Sequence, residues 1–208
     1  MVGDAVATTP PSKGPLAVLV GAPGAGKTTV GTRLAQRWGV TLRDTDADVE
    51  AAEGRGISDI FVDSGEEYFR AAEHRAVAAA LAEHPGVVAL GGGSVLDPAT
   101  RSLLAGHRVA YLRVGLSDAV RRVGLARDRP LLVEGPRTRL AALLREREPF
   151  YLEVAAIVVD TAGREPDEVA DLVALALDNA GPGPGPGPGV GSGAGSGSGS
   201  QGSGRVRS

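Results

Sequence analysis

The chain has no cysteine, and it has only two lysines against 20 arginines in 208 residues. The absence of cysteine excludes a disulfide framework and a thiolate metal site. No apolar run approaches the roughly 18 residues of a membrane-spanning helix, and residues 1–14 contain no apolar signal-peptide segment. From these absences we expect a cytoplasmic protein that makes no membrane contact.

The chain also has no excess of positive charge. The net charge of the chain is −3, and because Arg205 and Arg207 are the only charged residues after position 180, the rest of the chain carries −5. Non-specific nucleic-acid binding requires a positively charged face. We therefore expect no nucleic-acid partner.

Two terminal segments contain too few apolar side chains to form a core. Residues 181–208 read GPGPGPGPGVGSGAGSGSGSQGSGRVRS and hold 12 of the 31 glycines. Such a segment buries too little surface to offset the entropy of ordering it. The sequence predicts a flexible N-terminus over 1–14, one folded domain over 15–180 and a disordered Gly/Pro/Ser-rich tail over 181–208.

Short apolar runs alternate with amphipathic segments along the predicted domain. The runs predict strands at 16–20, 40–42, 86–90, 109–114 and 156–160. The other segments predict helices at 28–38, 64–83, 117–123, 138–154 and 166–177, and one more that begins at Asp97-Pro98. This alternation implies a three-layer, doubly wound α/β sandwich with a five-stranded parallel sheet, in which ligands bind at the carboxyl ends of the strands.

A glycine-rich loop follows the first predicted strand. Residues 21–28, GAPGAGKT, match the pattern GxxxxGK[ST] in full. Glycines let backbone amides converge on phosphate oxygens, Lys27 can reach the β- and γ-phosphates, and the Thr28 hydroxyl can ligate magnesium. The buried strand before the loop and the amphipathic helix after it favour a nucleoside-triphosphate site over a simple glycine-rich turn.

Two acidic residues follow the second predicted strand. The third strand ends in glycines, so a carboxylate for magnesium has to come from elsewhere, and Asp44 and Asp46 are placed at the ligand-binding edge of the sheet. Alternation in an extended segment would point both to the same side. One could hold the water shell of the metal, and the other could orient a hydroxyl or accept its proton. The alternative is that Asp44, Asp46 and Asp48 simply cap a helix.

The remaining candidate ligand-binding residues are several arginines and a triple glycine (Gly91, Gly92 and Gly93). Arginine forks bind carboxylates and stabilise charge on a transferring phosphoryl group, although in a chain so rich in arginine a solvated surface position is the simpler interpretation. The triple glycine could expose amides to a polar substrate, or it could form a tight turn between a strand and a helix. The arginines concerned are Arg70, Arg147, Arg122, Arg127 and Arg129.

In combination these residues resemble the shikimate kinases, a family of the nucleoside-monophosphate-kinase-like P-loop group. The resemblance runs from about residue 16 to about residue 177 and includes five blocks in order: GAPGAGKTT, DTD, GEEYFRAAE, GGG, and RDRPLL followed by REREPFY. It implies a P-loop kinase fold and transfer of the ATP γ-phosphoryl group to the 3-hydroxyl of shikimate, which gives shikimate 3-phosphate and ADP in aromatic amino-acid biosynthesis. It also implies Mg²⁺ as cofactor, shikimate and ATP as the small-molecule partners, and a monomer.

The resemblance assigns the nucleotide side of the site. Lys27 would be a catalytic residue, Arg129, in a lid over 124–135, would reach the phosphates as a second, and Arg122 would lie against adenine. Thr28 would ligate Mg²⁺ directly and Asp44 would do so through water. The ATP-binding residues implied are Gly24, Ala25, Gly26, Lys27, Thr28, Thr29, Arg122, Arg129 and, as an adenine-side contact, Arg164.

The resemblance also assigns the substrate side. Asp46 would be the catalytic base or orienter and would bind the substrate hydroxyl, while Arg70 and Arg147 would clamp the shikimate carboxylate. Glu73 would support Arg70 from one helical turn away. The remaining implied contacts are Gly91, Gly92 and Gly93 at the ring hydroxyls, and Phe61 and Phe69 as an apolar wall under the ring.

Two other functions are compatible with a phosphate loop. Another small-metabolite or nucleotide kinase, such as a relative of gluconate or adenylate kinases, is the nearer one, but the pair Arg70 and Arg147 favours a small carboxylated acceptor. A non-catalytic P-loop regulatory protein is the other. The intact set Lys27, Thr28, Asp44, Asp46 and Arg129 favours an enzyme over that alternative.

Overall fold

The structure, a computed structural model of the chain, describes residues 14–124 and 136–180. The tail predicted over 181–208 and all but the last residue of the N-terminus predicted over 1–14 lie outside these residues. Arg127, Arg129 and most of the predicted lid also lie outside them. The domain boundaries and the role of Arg129 therefore stay predictions.

Strands and helices alternate through the described residues. The strands are β1 (Ala17–Val20), β2 (Leu42–Asp44), β3 (Val87–Ala89), β4 (Val109–Arg113) and β5 (Ile157–Asp160). The helices are α1 (Lys27–Trp38), α2 (Thr45–Glu53), α3 (Ile57–Glu83), α4 (Pro98–Leu103), α5 (Leu116–Gly124), α6 (Pro136–Val154) and α7 (Pro166–Ala180), and a 3₁₀ turn (Ser94–Leu96) precedes α4.

The five strands form one parallel sheet in the order β2-β3-β1-β4-β5. In the register, Val18 of the central strand β1 lies opposite Val88 of β3 and Val109 of β4. Every residue of β1 and β3 is buried, which requires helices over both faces of the sheet. The predicted doubly wound α/β sandwich with a five-stranded parallel sheet is confirmed.

Helices cover the faces of this sheet, and the loops that follow its first three strands meet at one edge. Helices α1 and α7 pack on each other, α1 contacts β3, α7 contacts β5, and α6 contacts β4. Leu34 of α1 and Val173 of α7 belong to the main core together with the strands. Because parallel strands end at the same edge, the loops after β1, β2 and β3 meet there. None of the described helices is long and apolar enough to span a bilayer.

The segment that carries the two candidate aspartates differs from its prediction. Strand β2 ends at Asp44, which is extended with φ −110° and ψ 119°, and α2 begins at the next residue. Asp46 is therefore helical, and the prediction that strand alternation points both carboxylates to one side was wrong. Asp44 caps α2, since its side chain accepts from the backbone N–H of Asp46 at 3.0 Å.

Helix α3 begins earlier than predicted. The sequence predicts a helix opened by a capping box at Ser64, but α3 begins at Ile57 and is interrupted at Gly65, where φ is 82° and ψ is 171°. The Ser64 hydroxyl accepts from Nη2 of Arg55 at 2.7 Å. Glycine tolerates this backbone conformation and other residues rarely do. Gly65 therefore separates two helical segments, whereas the sequence pattern predicted only the second of them.

A small apolar cluster lies between α2 and α3, separate from the main core. It consists of Val49, Ile60, Phe69 and Ala72. The rings of Phe61 and Phe69 are 4.5 Å apart. Further along α3, Val77 joins the main core. Helix α3 therefore connects the two clusters, and the candidate clamp residue Arg70 lies at the smaller one, between Phe69 and Ala72.

The main core makes a first prediction. Leu34→Ala should lower the free energy of unfolding by about 2–5 kcal/mol, because it leaves a cavity where α1 packs on the sheet. Leu175→Ala on α7 is the matched control, since that leucine is 63% exposed, and its effect should stay within about 0.5 kcal/mol. Chemical denaturation monitored by circular dichroism measures both. Equal losses for the two variants would contradict the core described here.

Candidate active site

The glycine-rich loop after β1 folds back over the start of α1. Gly24 and Gly26 have φ of 82° and 91°, a region that favours glycine. Gly26 occupies the N-cap position of α1, and no side chain caps the helix there. Free amides at a helix N-terminus, preceded by a left-handed turn, form a cradle for an anion such as phosphate.

Lys27 keeps its ammonium group beside this loop. Its Nζ donates to the carbonyl oxygens of Gly21 at 2.8 Å and Ala22 at 3.3 Å. The side chain is half-buried. A positive charge is therefore held at the loop that would receive phosphate oxygens, on a flexible stem that can turn toward them.

Thr28 and Asp44 bring two oxygens together beneath the loop. The Thr28 hydroxyl donates to Oδ2 of Asp44 at 2.8 Å, while Oδ1 of the same carboxylate caps α2. The capping interpretation and the metal interpretation of Asp44 are thus compatible. Among the described residues no group of three or more His, Cys, Asp or Glu could hold a metal. Mg²⁺ at nucleotide sites takes one or two carboxylates together with phosphate and water oxygens, and the Thr28–Asp44 pair fits that pattern.

A cavity of about 310 Å³, the phosphate-side cavity, collects most of the residues predicted for ATP and metal. Asp46 lines it as well, although its backbone is helical and not extended. The carboxylate of Asp46 is therefore placed beside the phosphate loop. The lining residues are Pro23, Gly24, Gly26, Lys27, Thr28, Thr29, Asp44, Asp46, Leu90 and Arg122.

A second cavity of about 270 Å³, the base-side cavity, shares Gly26, Thr29 and Arg122 with the first. Ala25 and Arg164 line it, and Arg164 also pairs with Glu168 at 2.6 Å. All the residues predicted for adenine that the structure describes therefore lie on this side of the loop.

Arg122 is held at the junction of the two cavities. It donates to the carbonyl oxygen of Gly24 at 3.2 Å, to the Thr161 hydroxyl at 3.4 Å and to the Thr161 carbonyl oxygen at 3.3 Å. Thr161, which is buried at the end of β5, had no role in the sequence interpretation. Only its position after the last predicted strand could have indicated it.

The Arg70 guanidinium is fixed by acidic and aromatic neighbours. Nη1 donates to Oε2 of Glu73 at 2.6 Å, so the predicted support of Arg70 by Glu73 is confirmed. Nε and Nη2 meet Oε1 of Glu66 at 3.3 and 3.2 Å. The guanidinium carbon lies 5.9 Å from the ring centroid of Phe61 and 5.2 Å from that of Phe69, within the range of a cation–π contact.

Glu73 itself is almost completely buried. It is 3% exposed, and its other oxygen, Oε1, accepts from the Ser94 hydroxyl at 2.9 Å. A buried carboxylate with two such partners is a rigid support, because removing either partner leaves a charge poorly solvated. Ser94 is a second residue that the sequence interpretation missed.

Each position of the triple glycine faces a different neighbour. A Cβ at Gly91 would collide with the carboxylates of Asp46 and Glu73, and one at Gly93 would collide with the Arg70 guanidinium. A Cβ at Gly92 would lie 3.0 Å from Cδ of Pro23 in the phosphate loop. Space, and not an unusual φ, requires glycine here. The turn interpretation and the ligand-edge interpretation are again compatible.

Arg147 reaches the same segment from α6. Its Nη1 donates to the carbonyl oxygen of Gly92 at 2.9 Å, and the hydroxyl of Tyr151 donates to the same oxygen at 2.6 Å. The block REREPFY contains both residues at a spacing of four, which places them on one face of a helix. Tyr151 was part of the resemblance but was assigned no role.

The predicted residues thus form two groups that meet at Asp46. Arg70, Arg147 and the triple glycine line neither cavity, but Gly91 lies directly against the Asp46 carboxylate. One group can bind phosphates and the other can bind a carboxylate through guanidinium forks. The carboxylate between them can accept a proton from a hydroxyl. The arrangement suits phosphoryl transfer to the hydroxyl of a small anionic molecule.

Comparisons with known proteins identify one family. The family model described as shikimate kinase matches residues 23–178. A shikimate kinase of Frankia casuarinae is 76% identical over 162 residues, 78% of this chain and 72% of that protein. One of Thermobifida fusca is 59% identical over 170 residues, 82% of this chain and 99% of that protein. The solved shikimate kinase from Acinetobacter baumannii in complex with shikimate is 34% identical, with a TM-score of 0.75 over 81% of this chain and 96% of that chain.

The packing at the triple glycine makes a second prediction. Gly91→Ala should lower the free energy of unfolding by about 1–3 kcal/mol, because the added methyl displaces two carboxylates, one of them buried. Gly124→Ala is the control, because no atom of residues 14–124 or 136–180 lies within 4 Å of the added Cβ and alanine is the better helix former. Thermal unfolding compares the two. A Gly91 variant as stable as the control would contradict the close approach of Asp46 and Glu73.

Proposed function

The chain belongs to the shikimate kinase family, and on that premise we propose which of its residues perform the reaction. The reaction transfers the γ-phosphoryl group of ATP to the 3-hydroxyl of shikimate and gives shikimate 3-phosphate and ADP. The new bond joins the 3-oxygen to the γ-phosphorus, and the bond between that phosphorus and the β,γ-bridging oxygen breaks. The departing ADP keeps the electron pair of the broken bond.

The position of Asp46 carries the proposal. Its side chain lines the phosphate-side cavity with Lys27 and Thr28, and it also lies against Gly91 of the triple glycine. A hydroxyl bound at the triple glycine and a phosphoryl group bound at the loop would therefore meet beside this carboxylate. We assign Asp46 to orient the hydroxyl and to accept its proton during transfer.

The nucleotide side follows from the loop and its two cavities. The amides of Gly24 and Gly26 and the α1 N-terminus would bind the phosphates, while the Ala25 N–H, which donates to the carbonyl oxygen of Ala22 at 3.1 Å, would hold the loop in shape. Lys27 would turn from its carbonyl partners to offset the phosphate charge. Arg122 and Arg164 line the base-side cavity, which supports their assignment to the adenine side. Thr29, which lines both cavities, would bind the phosphates with the rest of the loop. Arg129 is assigned to the phosphates from the family resemblance alone.

The oxygen pair of Thr28 and Asp44 would hold Mg²⁺. The Thr28 hydroxyl would ligate the metal directly, and Asp44, 2.8 Å from that hydroxyl, would act through a water molecule. Bound there, the metal would neutralise charge on the phosphate oxygens. Asp44 also caps α2, so the same residue that serves the metal fixes the start of the helix that carries Asp46.

Arg70 and Arg147 would bind the carboxylate of shikimate. The buried Glu73 accepts a hydrogen bond from one nitrogen of Arg70. Glu66, whose side chain is 66% exposed, accepts from the other two. We propose that the substrate carboxylate takes the place of the exposed Glu66 while Glu73 keeps the guanidinium in orientation. Arg147, tethered to the Gly92 carbonyl oxygen, would supply the second fork.

Membership of the family also supports a proposal for the oligomeric state and the cellular location of the protein. We propose that it acts as a monomer in the cytoplasm, where ATP is available as co-substrate. Light scattering of the purified full-length chain during size-exclusion chromatography tests the monomer. A mass twice that of the 21.0 kDa chain would overturn it.

Asp46→Asn should lower kcat by about two to four orders of magnitude, because the amide cannot accept the proton. The Kd for ATP should stay within about threefold. Asp48→Asn is the control, since Asp48 lies on the same helix but its carboxylate accepts a hydrogen bond from Nε of Arg43. ADP release in a coupled assay with shikimate measures turnover, and gluconate, AMP and a no-acceptor sample test the other acceptors. Unchanged turnover of the Asp46 variant would show that its role is misassigned, and no ADP release with any acceptor would favour a non-catalytic binding protein over a kinase.

Arg70→Ala should raise the KM for shikimate about ten- to over a hundredfold, since a hydrogen bond between charged groups contributes about 1.5–3 kcal/mol. The KM for ATP should change little. Arg75→Ala, an exposed position on the same helix, is the control. Arg70→Lys, which keeps a charge beside the buried Glu73, covers the case in which the alanine variant is unstable. Equal losses for both substrates would mean that the acid clamp lies elsewhere.

A further inference from the structure

We propose that Tyr151 is a positioning residue for shikimate binding. Its hydroxyl holds the carbonyl oxygen of Gly92, and through that oxygen it sets the position of the Arg147 guanidinium and the orientation of the triple glycine. The inference rests on the proposed function, because it assumes that Arg147 binds the substrate.

Two side chains of one helix donate to the same backbone oxygen. The Gly92 carbonyl lies just after β3, while Tyr151 and Arg147 both lie on α6. The Tyr151 hydroxyl is 2.6 Å from this oxygen and Nη1 of Arg147 is 2.9 Å from it. A carbonyl oxygen has two lone pairs, so these two donors satisfy it. Arg147 is thereby tied to a backbone atom whose own position depends on Tyr151.

Packing determines where the Tyr151 hydroxyl can be. The residue is 1% exposed, and its ring stacks on that of Tyr111 in β4 with centroids 4.9 Å apart and an interplanar angle of 22°. A ring held between the sheet and α6 cannot follow movements of the triple glycine. The hydroxyl is therefore a fixed point against which the segment is aligned.

Fixing the Gly92 carbonyl also fixes the next amide. No cis peptide occurs among the described residues, and in a trans peptide the C=O and the following N–H point in opposite directions. Since the carbonyl of Gly92 points toward α6, the N–H of Gly93 points away from α6. Tyr151 thus controls both a guanidinium and a backbone donor at the edge assigned to shikimate.

The hydroxyl remains a donor under all working conditions. Burial raises the pKa of Tyr151 well above its ordinary value, and Arg147 lowers it by less. The group facing it across the ring stack is Tyr111, whose pKa burial raises to about 12, and Glu73 is the charged group of α3 that acts on it. The hydrogen bond to Gly92 is therefore independent of pH near neutrality.

Steady-state kinetics of full-length Tyr151→Phe tests the inference. The ring and its stacking remain, and only the hydroxyl is lost. Loss of one hydrogen bond corresponds to a rise of about three- to tenfold in the KM for shikimate, with kcat and the KM for ATP within about twofold. Tyr111→Phe is the matched control, because it removes a hydroxyl from the other ring of the same stack and should leave all three constants unchanged.

A double-mutant cycle with Arg147→Ala separates this inference from the proposed function. If Tyr151 acts through Arg147 and Gly92, Tyr151→Phe should have less effect in the Arg147→Ala background than alone. An unchanged shikimate KM in Arg147→Ala would overturn the substrate assignment itself. A strong effect of Arg147→Ala with none from Tyr151→Phe would overturn the positioning role alone. Equal rises for both tyrosine variants, or a parallel rise in the KM for ATP, would identify a purely structural residue and overturn it as well.

Discussion

The absence of side chains at Gly91, Gly92 and Gly93 is the constraint on which the candidate site depends. The phosphate loop, the start of α2, the kinked helix α3 and the long helix α6 all approach this segment, and a methyl group at any of its three positions would press on one of the first three. A parallel sheet brings loops to one edge but does not by itself bring them within hydrogen-bonding distance. Here the close approach comes from glycine, and it places the Asp46 carboxylate between the loop for phosphates and the arginines for a carboxylate.

The two arginines of the clamp are held in different ways. Arg70 is oriented by a buried carboxylate, which keeps a compensating charge beside it, whereas Arg147 is oriented by a neutral carbonyl oxygen and a tyrosine hydroxyl. The first arrangement costs desolvation of Glu73, offset by its two partners. In the second arrangement the acceptor is the neutral carbonyl oxygen of Gly92, so this hydrogen bond does not balance the charge of Arg147. An incoming anion therefore meets one guanidinium with partly balanced charge and one bonded to a neutral group.

The sequence was informative wherever chemistry depends on residues close together in the chain. The phosphate loop and its flanking strand and helix were predicted correctly because amide spacing, φ and helix start are all local properties. Asp44 and Asp46 both line the phosphate-side cavity, but the strand alternation from which their common side was predicted was wrong, and the capping alternative described the start of α2 correctly. Tyr151 and Thr161 could not be found this way. Their contacts join residues 59 and 39 positions apart, and such distances are decided by how helices pack on the sheet. The capping box at Ser64 shows the opposite error, because a valid local pattern was taken as the start of a helix that already begins at Ile57 and is only interrupted at Gly65.

The separate apolar cluster of Val49, Ile60, Phe69 and Ala72 is much smaller than the main core, and from this difference we expect two cooperative units of unequal stability. Local opening free energies scale with the apolar contacts that must be broken, so α2 and the first part of α3 open at a lower free energy than the sheet. We expect amide protons there to exchange with solvent through sub-global opening, and those of β1 and β3 to exchange only when the whole domain unfolds. Asp46 and Phe61 thus belong to the part of the molecule that opens more readily, whereas the phosphate loop is anchored to its most persistent part.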